Sequence, residues 1–190
     1  MHAHRHAVQF YGNEASLFTT VAGFLSEGLV ASQPAIVIAT AAHEAAILAQ
    51  LSARLIDVEQ AERSGDLVMR DAHEALDTFM VGDGPDPDLF DEHIGGLVGR
   101  TLAGRPRTVV RAFGEMVDVL WQDGRADAAI RLEILWNKLA TKYGFALLCG
   151  YSMGNFYKKA EQFQQICQQH THVIGPDPNV VVLEAKKRTK

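Results

Sequence analysis

Ala35-Ile36-Val37-Ile38-Ala39-Thr40 is the stretch on which the fold turns. It is short, uncharged and rich in β-branched residues, the composition of a strand buried on both faces of a parallel sheet. The pattern then changes period. Over residues 43–55, Ile47, Leu48, Leu51 and Leu55 gather on one side of a helix. Upstream, residues 7–11 read as another strand, and Asn13 is placed to cap a helix carrying Leu17, Val21, Phe24 and Leu25 at helical spacing. Gly28 is read as the end of that helix. Strand, helix, strand and helix in this order define βαβ units.

The alternation continues downstream. Residues 67–69 read as a strand, and Asp71 as the cap of a helix running to about residue 80. Gly82-Asp83-Gly84-Pro85-Asp86-Pro87-Asp88 has the composition of a loop, and a helix over about 89–102 follows it. Residues 108–113 and 145–149 are further strands, with helices over 114–121 and 125–143 hinged at Asp123-Gly124. A helix over 156–169, an edge strand over 180–183 and a frayed basic tail complete the reading. No repeat or linker divides the chain. The expected architecture is a three-layer α/β fold, a mainly parallel central sheet with helices on both faces. One domain over residues 6–175 is expected, flanked by a flexible start (1–5) and a tail (176–190). Such sheets bind ligands beyond the carboxyl ends of their strands. That rule nominates Tyr11, the Thr40–His43 turn, the Asp71–His73 turn, the Phe113–Glu115 turn and Tyr151.

Composition narrows the function classes. The chain has 190 residues, 47% hydrophobic and 22% charged, enough for a real core in one domain. Its net charge of −5 is a poor footprint for nucleic acid, so no direct nucleic-acid binding is expected. No apolar run approaches the roughly 18 residues of a membrane span, and the polar opening His2-Ala3-His4-Arg5-His6 is unlike a signal peptide. The two cysteines, Cys149 and Cys167, form no CxxC pair and no disulfide framework. A cytoplasmic protein with no membrane partner is the expectation.

Several motifs in order carry a resemblance. His6-Ala7-Val8-Gln9-Phe10-Tyr11 precedes a helix ending in Glu27-Gly28-Leu29, followed by the 35–40 stretch and His43. Then come Gly65-Asp66-Leu67, Gly114-Glu115-Met116-Val117 with Leu120, and Leu132-Glu133 with Leu135-Trp136-Asn137. Leu148-Cys149-Gly150-Tyr151 and Cys167-Gln168-Gln169-His170-Thr171-His172-Val173-Ile174 close the set. Together they resemble the MEDS domain, the methanogen/methylotroph DcmR-type sensory domain, over about residues 6–175. That family looks like a degenerate relative of RecA-like, KaiC-type ATPases, and occurs alone or joined to histidine kinases or DNA-binding parts. The resemblance implies a signalling module that binds a small-molecule effector or a signalling protein partner, with self-association as a homodimer.

The turn equivalent to a P-loop is Gly12-Asn13-Glu14-Ala15-Ser16-Leu17-Phe18-Thr19. A P-loop needs glycines for close backbone approach, a lysine for the phosphates and a hydroxyl for magnesium. Only Gly12 and Thr19 fit. Leu17 stands where the second glycine belongs, Phe18 replaces the lysine, and Glu14 adds a repelling charge. The expectation is a non-catalytic chain with no cofactor. A divergent nucleotide-binding enzyme and a ligand-free adaptor are the alternatives.

Arg111, Glu115 and Glu133 are the charged residues in apolar surroundings. They suggest either a polar-ligand clamp, or a structural ion pair plus a carboxylate favoured by a helix N-terminus. With Tyr11, His43 and Tyr151 they form the candidate ligand-binding set. No metal site is expected. His2, His4 and His6 lack an adjacent acidic or cysteine partner, and His170 and His172 read as a solvated helix end. Asp83, Asp86, Asp88 and Asp91 lack the calcium-loop spacing. Cys149 lies in a strand whose burial makes a thiol inert, and Tyr11, Trp136 and Tyr151 read as core aromatics or pocket walls. No GxSxG, HExxH or Ser-His-Asp pattern appears, and no catalytic residue is assigned.

Overall fold

The computed structural model describes residues 5–106, 108–154, 160–175 and 183–184. The first strand, β1 (Arg5–Tyr11), leads into α1 (Glu14–Val30), where the Asn13 side chain accepts from the backbone N–H of Ser16. The decisive stretch forms β2 (Ala35–Ala39), and all five of its residues are buried. Then follow α2 (Ala41–Ala53), α3 (Val58–Ser64), β3 (Leu67–Asp71) and α4 (Ala72–Asp77). A small hairpin, β4 (Met80–Val81) and β5 (Gly84–Pro85), precedes α5 (Pro87–Phe90), a π-helical segment at Asp91–Gly95 and α6 (Gly96–Leu102). The second half holds β6 (Arg111–Gly114), α7 (Met116–Gln122), α8 (Ala126–Tyr143) and β7 (Ala146–Ser152). It closes with α9 (Ala160–Gln169), β8 (His172–Ile174) and β9 (Leu183–Glu184).

The strands order as β3-β2-β6-β7-β1-β8-β9. The first six are parallel, and β9 pairs antiparallel to β8 at the edge. Alternation along each strand divides the core in two. Val37, Ala39 and Phe113 face Leu17, Val21 and Leu25 of α1 and Ile47 and Leu51 of α2. Ile36, Ile38, Ala112, Leu147 and Cys149 face the other way, into a cluster with Leu120 and Trp121 of α7 and Leu132 and Trp136 of α8. Successive side chains of a strand point to opposite faces, so a sheet that is apolar at every position must be covered on both. The chain is a three-layer α/β fold.

Local readings change where tertiary contacts intervene. Helix α1 continues past Gly28 to Val30, because Gly28 is a packing position: a Cβ there would lie 2.6 Å from Arg111 Cδ. Helix α3 escapes an apolar-period reading because it buries no residue; Asp57 caps it and Gly65 ends it at φ 73°. The expected loop at 82–88 is a hairpin around Gly82 followed by α5, whose cap Asp86 accepts from the N–H groups of Asp88 and Leu89. Strand β7 extends to Ser152 by pairing with β1 along its whole length. His170 is no solvated helix end, being only 3% exposed, and His172 belongs to a strand. His2, His4, the start of the helix expected at 156–169, residues 180–182 and the basic tail lie outside the described residues.

Candidate functional site

After β2 the chain continues to β3, and after β6 it continues to β7, on the opposite side. Diverging connections leave a crevice at the carboxyl ends of the strands. A cavity of about 390 Å³ occupies it, walled by residues at or beyond the ends of five strands: Tyr11 to Glu14, Thr40 and His43, His73, Glu115 with Asp118 and Val119, and Ser152.

Glu115 is the bridge across this crevice. It stands at the N-terminus of α7 with no side-chain capping bond, and its carboxylate reaches instead to the end of β2. One oxygen accepts from the backbone N–H of Thr40, and the other lies 2.6 Å from His43 Nδ1. His43 Nε2 faces Glu14 at 3.6 Å, and the ring edge packs on Phe18. The hydrogen bond to Glu115 is the main reason that the His43 pKa is raised; partial burial opposes it, and the charges of Glu115 and Glu14 add to it.

Asp118 joins three elements. Its carboxylate accepts from Tyr11 Oη at 2.9 Å, from Gln122 Nε2 at 2.8 Å and from the Ser152 N–H at 3.1 Å. Burial pushes the Asp118 carboxyl up, against the pull of those three donors. Burial and then the Asp118 charge push the Tyr11 phenol up. The walls are therefore acidic, with Glu14, Glu115, Asp118 and Asp123 set against His43 and His73. Carboxylates repel an anionic group and suit donors or cations.

The six candidate residues fall into three places. Tyr11, His43 and Glu115 meet in the crevice. Arg111 sits at the other end of β6, where its guanidinium donates to Gln33 Oε1, the Phe24 carbonyl and Glu27 Oε2 and lies over the Phe24 ring. It borders a larger hollow of about 650 Å³, but those donors are already engaged in holding α1 to the sheet. The clamp of Arg111 with Glu115 and Glu133 does not form, because the strand runs between the first two.

Glu133 and Tyr151 lie inside the second core layer, with Tyr151 Oη donating to Glu133 Oε1 at 2.9 Å. There Glu133 meets His6 from β1, Cys149 from β7 and His170 from the end of α9, all buried. Burial, then the neighbouring His170, holds the His6 imidazole below its ordinary value. Burial, then the Glu133 carboxylate, pushes the Cys149 thiol well above its own.

Two features of these sites escaped the sequence reading. Asp118 had a signal: one acid inside the apolar run Met116-Val117-Asp118-Val119-Leu120-Trp121 requires buried partners. His170 had none, since only the turn from α9 into β8 carries it inward.

A parallel sheet covered on both faces, with a polar crevice at its switch point, defines a three-layer α/β domain. Within that class the chain belongs to the MEDS family, the MEthanogen/methylotroph, DcmR Sensory domain, whose model matches residues 5–171. Membership suggests a sensory or signalling role. No curated protein matches the chain. Among the described residues, no helix is long and apolar enough to cross a membrane.

Proposed function

We propose that the chain is a non-catalytic input domain whose crevice takes a small polar effector, uncharged or cationic, and reports occupancy to a signalling protein. The bridge from Glu115 to His43 and Thr40 carries this reading. An effector that binds Glu115 or His43 competes with contacts joining the start of α7 to the start of α2. Occupancy then shifts the balance between two arrangements of that edge, seen by a histidine kinase or transcription regulator. Acidic walls and the absence of a P-loop lysine argue against a nucleotide.

The test is a thermal-unfolding screen of small amines, alcohols, amides and magnesium nucleotides, followed by calorimetry on each hit. A retained effector at 100-fold its Kd raises stability by about 2.7 kcal/mol. Glu115→Gln should abolish the shift while leaving the fold intact by circular dichroism. A magnesium–ATP hit with measurable turnover would replace this reading with the enzyme alternative. Stoichiometric capture of a kinase, unaffected by Glu115→Gln and with no small-molecule hit, would favour an adaptor.

A further inference from the structure

Away from the crevice, four metal-ligating side chains converge inside the layer between the sheet and α8–α9. His6, Glu133, Cys149 and His170 offer one donor atom each, all within 4.8 Å of one another. His6 Nε2 lies 3.2 Å from Glu133 Oε2 and 3.4 Å from Cys149 Sγ. Cys149 Sγ lies 3.6 Å from Glu133 Oε2, and His170 Nε2 lies 3.4 Å from Glu133 Oε1. A tetrahedral zinc ion, with bonds of about 2.0–2.1 Å to nitrogen and oxygen and about 2.3 Å to sulfur, sets its ligand atoms roughly 3.3–3.6 Å apart.

The outer contacts fix which ring nitrogens face inward. His170 Nδ1 lies 2.7 Å from the Ile166 carbonyl, which can only accept, so Nδ1 carries a hydrogen and Nε2 is the nitrogen that faces inward. That Nε2 faces Glu133 Oε1 at 3.4 Å. His6 Nδ1 lies 3.1 Å from Asn137 Oδ1, and the Asn137 amide is oriented by donating from Nδ2 to the Gln169 carbonyl at 3.0 Å. Tyr151 braces the carboxylate. Histidines held at one nitrogen, and a carboxylate held by a donor, are the outer arrangement of metal sites.

Charge argues the same way. A divalent cation with one carboxylate and one thiolate is neutral. We propose that His6, Glu133, Cys149 and His170 bind one divalent transition-metal ion of zinc's class, in a closed four-ligand site. The two nitrogens, one oxygen and one sulfur suit a borderline-soft ion, and the closed shell makes the site structural. On binding, the Cys149 thiol releases its proton to solvent and the thiolate takes its place as ligand. The ion ties β1, β7, α8 and the end of α9 at one point.

The test uses the full chain made in cells supplied with Zn2+ or, separately, Co2+, then desalted and assayed for metal by mass spectrometry. One equivalent per chain is expected, and the cobalt form should show a thiolate-to-cobalt charge-transfer band. Cys149→Ser should remove the band and lower metal content at least tenfold, whereas Cys167→Ser should change neither. A folded wild-type chain that holds neither ion would overturn the proposal and leave a network held by protons alone. So would bound cobalt without the thiolate band, a reading that needs no variant to fold.

Discussion

His43 is the residue whose charge state the crevice controls. Its pKa is raised mainly by the Glu115 hydrogen bond, so the folded chain binds this proton more tightly than the unfolded one, whose value is near 6.5. The resulting stabilisation is fully present below 6.5 and is lost as pH rises through the folded value. Urea unfolding of the parent and His43→Gln on both sides of that window checks the sign. The parent's advantage should shrink as pH rises, and an advantage that grew with pH would contradict the assigned pair. At this scale the sequence was partly legible. The strand-end rule reached Tyr11, His43 and Glu115, because a residue just past a strand must stand at the sheet edge. Arg111 entered the candidate set through its charge in apolar surroundings, and its place at the opposite end of β6 depends on where pairing with β2 begins, at Ala35 with Arg111.

Helix α1 and strand β6 show how one element sets the residue allowed in another. Arg111 crosses beneath α1 at Gly28, close enough that an added Cβ meets both Cδ and Cγ. Gly28→Ala should cost about 1–3 kcal/mol by forcing that side chain aside. In an Arg111→Ala background the clash is gone, and the same change should gain about 0.5–1 kcal/mol from helix propensity. A double-mutant cycle by chemical denaturation measures the difference, and additive effects would show that the two do not touch. Helices α1 and α2 announced themselves by apolar period. Helix α3 did not, because caps at both ends hold it and only Val58 and Ala61 are half-buried against the core.

Across the whole molecule, one sheet carries two apolar layers, and β6 belongs to both. Phe113 is fully buried against α1 in one layer, while its neighbour Ala112 faces the other. Phe113→Ala should cost about 3–5 kcal/mol. Because the layers share the sheet, the loss should lower one cooperative transition rather than split it, and differing far-ultraviolet and tryptophan-fluorescence midpoints would count against that coupling. The sequence by itself determined the α/β class, the buried parallel strands and the family, since local period and composition act over neighbouring residues. The residues beyond each strand were equally plain in it. Only the tertiary structure decided that Glu115 spans to β2 and that Glu133 turns inward. It alone brought His6 and His170, 164 positions apart in a chain of 190, to ring centroids 4.1 Å apart. Strand order and helix packing make those contacts, and neither leaves a periodic trace in the chain.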